Sequence, residues 1–187
     1  KIDFDLLSRE FAHTRRKNLL LRDLDELVNQ QLAKMLFANP QRIDYYDRYQ
    51  EIIDAYNAEQ NRATIEKTFM DLMELASSLD TEQQRYVREG FSSDEELSVY
   101  DLLFSENLTK QEIETIKKVS VDLLTKIKQQ IAKLDHWTDK QETKAIVDNL
   151  IRNTLWQELP NSYDVSDIQT YQKKIYEYVY MRYPEVA

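Results

Sequence analysis

The two histidines of the chain, His13 and His136, are the first candidates for a general base or a metal ligand. Either role usually requires a partner carboxylate or a second histidine at helical spacing. His13 lies close to the basic pair Arg15-Arg16, and His136 follows Asp135 at the predicted end of a helix, where the helix dipole favours the charged imidazole. We therefore expect structural or solvated roles for both histidines, and we predict no catalytic and no metal-binding residue in the chain.

Two short patterns in the second half of the chain match elements found in nucleases. Glu142 and Lys144, with Asp139 upstream, match an acidic–x–Lys element, and Gln172 with Tyr176 matches a Gln-x-x-x-Tyr element. That chemistry needs acidic residues on β-strands that converge on a divalent metal ion. The first match falls within a predicted helix and no strands are predicted, so we interpret this match as helix surface and the second as a chance match.

The composition excludes several kinds of site. The chain has one glycine, Gly90, whereas a Walker phosphate loop needs two and a dinucleotide fingerprint needs three. It has no cysteine, which excludes disulfides, thiol chemistry and cysteine-based zinc sites and is consistent with a reducing cytoplasm. No apolar run approaches the ~20 residues that span a bilayer, so we expect no membrane partner and a cytoplasmic location. The first residue is Lys1 and lies within a patterned segment, which suggests a fragment of a longer protein.

The charge of the chain is unevenly distributed. The formal net charge is −9, and residues 1–38 carry seven Lys/Arg and six Asp/Glu, so the remaining 149 residues carry a net charge of −10. Because nucleic-acid affinity depends mainly on neutralising phosphates, residues 39–187 are not expected to hold DNA. The local exception is a basic cluster near the N-terminus, which we define as Arg15, Arg16, Lys17 and Arg22.

The stretch from Trp137 to Tyr163 is the best-bounded predicted helix, and it contains both tryptophans. Thr138 and Gln141 can form a capping box at its start, and Pro160 ends it because the proline ring clashes with continued helical backbone. Its apolar face consists of Ala145, Val147, Leu150, Ile151, Leu155 and Leu159. We expect this helix to be the spine of the domain.

The rest of the chain also shows helical periodicity throughout. Apolar residues recur at spacings of three and four in the segments 3–12, 17–37, 39–60 and 62–79. Gly90 follows a helical run and is the expected left-handed stop. Capping-box patterns predict the later helix starts, namely Thr81–Gln84, Ser93–Glu96, Thr109–Glu112, Thr138–Gln141 and Ser166–Gln169. The sequence therefore predicts an all-α fold, an irregular bundle of about seven to eight helices.

No Ser/Gly/Pro-rich linker divides the chain, and no fixed-period repeat is present. We therefore expect one structural unit overall. Within it, residues 1–38 form an N-terminal helical arm packed on the domain, and residues 39–187 form a C-terminal helical assembly domain.

Three segments taken in order carry a family resemblance. They are NPQRIDYYDRYQEIIDAYN at 39–57, REGFSSDEELSVYDLL at 88–103, and the stretch 137–163 with its W-T-x-K-Q-E-T-x-A start and L-P-N-S-Y finish. Together they resemble the C-terminal helical region of the restriction (motor) subunit of type I restriction–modification enzymes. The similarity runs from about Ile2 to Tyr183.

The resemblance implies a function but transfers no catalytic residue. The parent subunit of that family is an ATP-dependent site-specific deoxyribonuclease that uses ATP and Mg²⁺, yet none of its nuclease or motor motifs is present here. The resemblance therefore implies a non-catalytic fragment without a cofactor of its own. Its expected role is to dock the translocase–nuclease onto the methyltransferase–specificity core, with DNA reached through the parent complex.

Large amphipathic side chains are the candidate partner-binding residues for that role, because aromatic rings are enriched at protein interfaces. They are Trp137, Trp156, Tyr176, Tyr180 and Tyr183. Two alternatives stay open at this point. The domain could contact DNA through the basic cluster, or it could be a helical adaptor unrelated to restriction.

Overall fold

The computed structural model describes residues 2–185 and is all-α, as predicted. Within this part of the chain it has nine α-helices, one 3-10 turn at Pro40–Arg42 and no strand. The helices are α1 Phe4–His13, α2 Lys17–Ala38, α3 Ile43–Ala58, α4 Arg62–Gln83, α5 Arg85–Arg88, α6 Asp94–Leu103, α7 Lys110–Ile131, α8 Gln141–Glu158 and α9 Val165–Arg182. The chain divides into two compact units, Lys1–Arg88 and Glu89–Ala187.

The first unit is built on α4, which packs against both α2 and α3. Leucines that recur along α2 and α4 supply most of the buried core, together with two stacked phenylalanines. The rings of Phe11 and Phe69 lie 3.7 Å apart and nearly parallel, which fixes α1 on α4. Because α2 belongs to this unit, the boundary between compact units follows residue 88 and does not coincide with the predicted division after residue 38. That the chain forms one structural unit overall stays a prediction.

The segment 39–57 turns the chain between α2 and α3, and a buried charge network holds this corner. The side chain of Asn39 accepts a hydrogen bond from the backbone N–H of Gln41. Arg42, 3 % exposed, donates from Nε to Oε1 of Glu82 at 3.1 Å, and Arg85 donates to the same oxygen at 2.9 Å. A buried charge needs such partners because leaving it unpaired is strongly unfavourable.

In the second unit α6 and α8 pack against α7, and α9 closes the bundle against α8 and α6. The segment 88–103 starts this unit. Gly90 has φ +84°, a left-handed conformation that glycine adopts without strain, as predicted. The ring of Phe91 then packs on Tyr100 at 5.4 Å, and Ser93 caps α6 by accepting from the N–H of Glu96.

The stretch 137–163 makes its main contacts at its two ends. At its start, Trp137 is fully buried and its carbonyl accepts a hydrogen bond from the Thr143 hydroxyl at 2.7 Å. At its end, the Tyr163 hydroxyl donates to the carbonyl of Leu103 at 2.6 Å, which ties the turn after α8 to the end of α6. Between these ends Val147, Ile151 and Leu155 are buried as predicted, whereas Ala145 is exposed.

Three of the predicted helix starts are wrong. Thr81 lies inside α4, where its hydroxyl donates to the carbonyl of Ser77, so the helix continues through it. Thr138 precedes α8 by three residues, and the observed N-cap, Lys140, makes no side-chain capping bond. The last helix is capped two residues earlier than predicted, by a box that Asp164 forms with Asp167.

The other two predicted starts are confirmed. Thr109 and Glu112 form a complete capping box at the start of α7. Ser93 caps α6, and the Glu96 carboxylate accepts from the N–H of Ser92 rather than from that of Ser93. Three acidic residues, Asp94, Glu95 and Glu96, occupy the first turn of α6, where the helix dipole favours negative charge.

Candidate interaction surface

Both histidines are exposed. His13 is the last residue of α1. His136 has φ +44° in the turn after α7, and its Nδ1 lies 3.1 Å from Oε1 of Glu185. In residues 2–185 no group of three or more His, Asp or Glu side chains is arranged to hold a metal ion.

The residues of the two nuclease-like patterns all lie on or next to helices of the second unit. Glu142 is in the first turn of α8, and Lys144 follows on the same helix. Gln172 lies on α9, where its amide donates to Oδ1 of Asp148 at 2.9 Å. Acidic groups carried on strands that converge on a metal do not occur in the described residues, so this arrangement does not provide the nuclease chemistry considered above.

Four of the five predicted partner-binding residues come together at one end of α8 and α9. The Trp137 ring meets Tyr176 and Tyr180 edge-on, with ring centroids 6.1 Å and 5.7 Å apart. The indole Nε1 of Trp137 donates to the backbone carbonyl of Tyr183 at 2.6 Å. This geometry suits packing, because edge-to-face aromatic pairs are stabilising and a buried indole N–H needs an acceptor.

Trp137 itself cannot offer surface to a partner, because its side chain is 0 % exposed. It supports Tyr180, which is 38 % exposed, and the partly buried Tyr176. Burial raises the pKa of Tyr176, and the charge of Asp148 raises it further. The Tyr176 hydroxyl therefore stays protonated at neutral pH and can donate a hydrogen bond.

Trp156 lies near the opposite end of α8 and is half exposed, at 50 %. Going back along the helix from it, Arg152, Asn149 and Ala145 occur at spacings of four, three and four, and all are exposed. Residues at these spacings share one face of a helix. We call this set of four residues the Trp156 stripe.

A surface groove between α8 and α9 adjoins the Trp156 stripe. Its volume is about 450 Å³. It is lined by Gln141, Lys144, Ala145 and Asp148 from α8 and by Gln169, Gln172, Lys173 and Tyr176 from α9. Ala145 belongs to both features, so the Trp156 stripe and the α8–α9 groove form one continuous surface of the second unit.

The basic cluster is only partly available for a ligand. Arg15, Arg16 and Arg22 are exposed. Lys17 instead contacts its own unit, because its Nζ donates to the carbonyl of Phe11 at 3.1 Å and lies 3.6 Å from Oε1 of Glu66. The ammonium of Lys17 therefore helps to hold α1 on the unit, and it contributes less to the surface than the sequence suggested.

Sequence reasoning missed the α8–α9 groove and found only one end of the Trp156 stripe. The signal for the stripe was present in the spacing of Ala145, Asn149, Arg152 and Trp156. That spacing was obscured because Ala145 had been assigned to the buried face. The two walls of the groove come from different helices, so their pairing could be seen only in three dimensions.

The described residues form an all-α protein, and its second unit carries a half-exposed tryptophan beside a surface groove. None of its described helices has the length and apolar character needed to cross a membrane.

Comparison with known families then gives the identity of the domain. The family described as "Type I restriction enzyme HindI endonuclease subunit-like, C-terminal" matches residues 1–183, so the chain belongs to this family. Searches of curated proteins and of solved structures gave no significant match. The family resemblance predicted from the sequence is thus confirmed, and the alternative of an adaptor unrelated to restriction enzymes is wrong.

Proposed function

We propose that this chain is a non-catalytic assembly domain, which docks its endonuclease subunit onto the methyltransferase–specificity core of a type I restriction enzyme. The observation that carries the proposal is the half-exposed Trp156, at the end of the exposed Trp156 stripe. Tryptophan is the residue type most enriched at energetic hot spots of interfaces, and exposing one to water is unfavourable without a partner.

The three segments that carry the family resemblance support this assignment indirectly. Their main contacts are internal: the Arg42–Glu82 pair, the Phe91–Tyr100 packing and the Tyr163–Leu103 hydrogen bond. These contacts stabilise each unit internally, whereas the exposed α8–α9 surface remains available to a partner. DNA, ATP and Mg²⁺ would be handled by other parts of the parent complex.

The test is a binding titration of the endonuclease subunit that contains this domain against its cognate core. Trp156→Ala should raise the Kd by about 30-fold, because hot-spot truncations cost about 2 kcal/mol or more. Met181→Ala is the matched control, since Met181 is 64 % exposed in the same unit but lies outside the Trp156 stripe. A folded Trp156→Ala subunit that binds the core as tightly as wild type would contradict a docking role for Trp156.

A second function, contact with DNA, is favoured by the exposure of Arg15, Arg16 and Arg22. Replacing all three by alanine should make the slope of log K against log salt concentration less negative by about 2.7, since each phosphate contact contributes about 0.9 to this slope. Anisotropy titrations of a labelled duplex at several salt concentrations measure this slope. An unchanged slope would eliminate the three arginines as DNA contacts.

A further inference from the structure

The α8–α9 groove presents two lysines that form no ion pair with the described residues. Lys144 lies on one wall and Lys173 on the other. Neither ammonium has a carboxylate within ion-pair distance among residues 2–185, and the same is true of Arg152 on the adjoining Trp156 stripe. Three other lysines of this unit are paired, namely Lys117 with Glu89, Lys126 with Asp122 and Lys128 with Glu95.

The groove also contains one carboxylate, that of Asp148. Its Oδ1 accepts from the Gln172 amide at 2.9 Å, which positions the carboxylate but leaves its charge, so the two lysines give the groove a net charge of +1. The remaining lining supplies hydrogen-bond donors, namely the amides of Gln141 and Gln169 and the protonated hydroxyl of Tyr176. Cations with neutral donors around them are complementary to carboxylates.

We infer that the α8–α9 groove receives an acidic peptide segment of the partner protein, whose Asp or Glu side chains pair with Lys144 and Lys173 while a neighbouring apolar side chain covers Trp156. This inference rests on the proposed docking function and specifies its partner chemistry. Continuity between the groove and the Trp156 stripe through Ala145 allows one segment to occupy both.

Nucleic acid fits this surface less well than an acidic peptide. Residues 89–187 carry 18 Asp/Glu and 12 Lys/Arg, so the unit around the groove is negative overall. A long polyanion would meet that repulsion along its length, whereas a short acidic segment contacts only the locally positive groove.

The first experiment reverses the charge of both lysines in the endonuclease subunit. The double variant Lys144→Glu/Lys173→Glu should bind the methyltransferase–specificity core about 10-fold more weakly at low salt. The difference should shrink at 1 M salt, where the Debye length is about 3 Å. Lys118→Glu is the matched control, because Lys118 is exposed on α7 and away from the groove. Thermal unfolding of each variant verifies that the domain remains folded.

The second experiment identifies the carboxylates directly. A carbodiimide joins a lysine amine to a carboxylate in contact with it, and mass spectrometry of the assembled complex then locates the joined residues. Lys144 and Lys173 should be joined to Asp or Glu residues of the core, and Lys118 should not.

The outcomes separate this inference from the proposed function. If Trp156→Ala weakens assembly but the charge reversal does not, the acidic-segment inference is wrong and the docking role stands. If the reversal lowers DNA binding of the complex and leaves assembly unchanged, the groove contacts nucleic acid and the inference is again wrong. If the reversal weakens assembly while Trp156→Ala does not, the groove takes the acidic segment without help from Trp156. If neither variant affects assembly, both proposals fail.

Discussion

The two tryptophans of this domain have nearly opposite environments although one predicted helix contained them both. Trp137 is 0 % exposed and donates its indole N–H to the carbonyl of Tyr183. Trp156 is 50 % exposed and ends the Trp156 stripe on α8. The first belongs to the family signature and stabilises the fold, whereas the second lies outside the quoted signature residues and is available to a partner. The role of each tryptophan in this domain thus depends on its three-dimensional environment and not on its residue type alone.

Among the substitutions that test this comparison, the largest effect on stability is expected at Trp137. Trp137→Ala should lower the free energy of unfolding by about 3–5 kcal/mol, because it removes a fully buried aromatic side chain and leaves a cavity. Chemical denaturation of the wild-type protein and of this variant measures the loss of stability. A cost below about 1 kcal/mol would mean that the Trp137, Tyr176 and Tyr180 cluster does not hold α9 on the turn before α8.

The next largest effect on stability is expected when a buried ion pair of the first unit is broken. An exposed ion pair of the same unit serves for comparison. Glu82→Gln should cost about 3 kcal/mol, since the buried Arg42 would lose its anionic partner. Glu74→Gln should cost less than about 0.5 kcal/mol, because the Arg48–Glu74 pair is exposed to solvent. Equal costs in urea unfolding would show that burial does not set the strength of the Arg42–Glu82 network.

A smaller effect on stability is expected at Trp156. Trp156→Ala should change the free energy of unfolding by no more than about 1 kcal/mol, in keeping with a surface site. The same variant should still weaken assembly with the core, as proposed above. A stability loss as large as that of Trp137→Ala would place Trp156 in the core and break the comparison between the two residues.

The smallest difference concerns two threonines that look alike in sequence. Thr109→Ala should cost about 1 kcal/mol because Thr109 caps α7, whereas Thr138→Ala should cost only a few tenths because Thr138 caps no helix. Thermal unfolding followed by circular dichroism resolves the two cases. Equal losses of stability would indicate that Thr138 stabilises the turn before α8 although it caps no helix.

The sequence predicted the features that depend on neighbouring residues. The left-handed stop at Gly90 and the box at Thr109 each involve groups within a few positions of one another. The same local reasoning failed at Thr81, because a threonine hydroxyl can instead donate to the carbonyl four residues earlier inside a continuing helix.

Features that join distant parts of the chain could not be predicted in this way. Arg42 and Glu82 are forty positions apart, and the walls of the α8–α9 groove come from two helices. Within the stretch 39–57, Arg42 joins a buried charge network at a helix corner, and this network depends on the packing of α4 against α3. Burial of Trp137 likewise depended on α9.

The separation of the two tryptophans also gives the domain two natural optical reporters. Because this chain contains no other tryptophan, its ultraviolet-excited indole emission comes from one shielded ring and one ring in contact with water. Trp137 should emit at shorter wavelength and respond to unfolding, and Trp156 should be reached by a soluble quencher such as acrylamide. Because acrylamide should reach Trp156 but not the buried Trp137, a decrease in quenching when a partner is added would report assembly in real time. No attached dye would be needed.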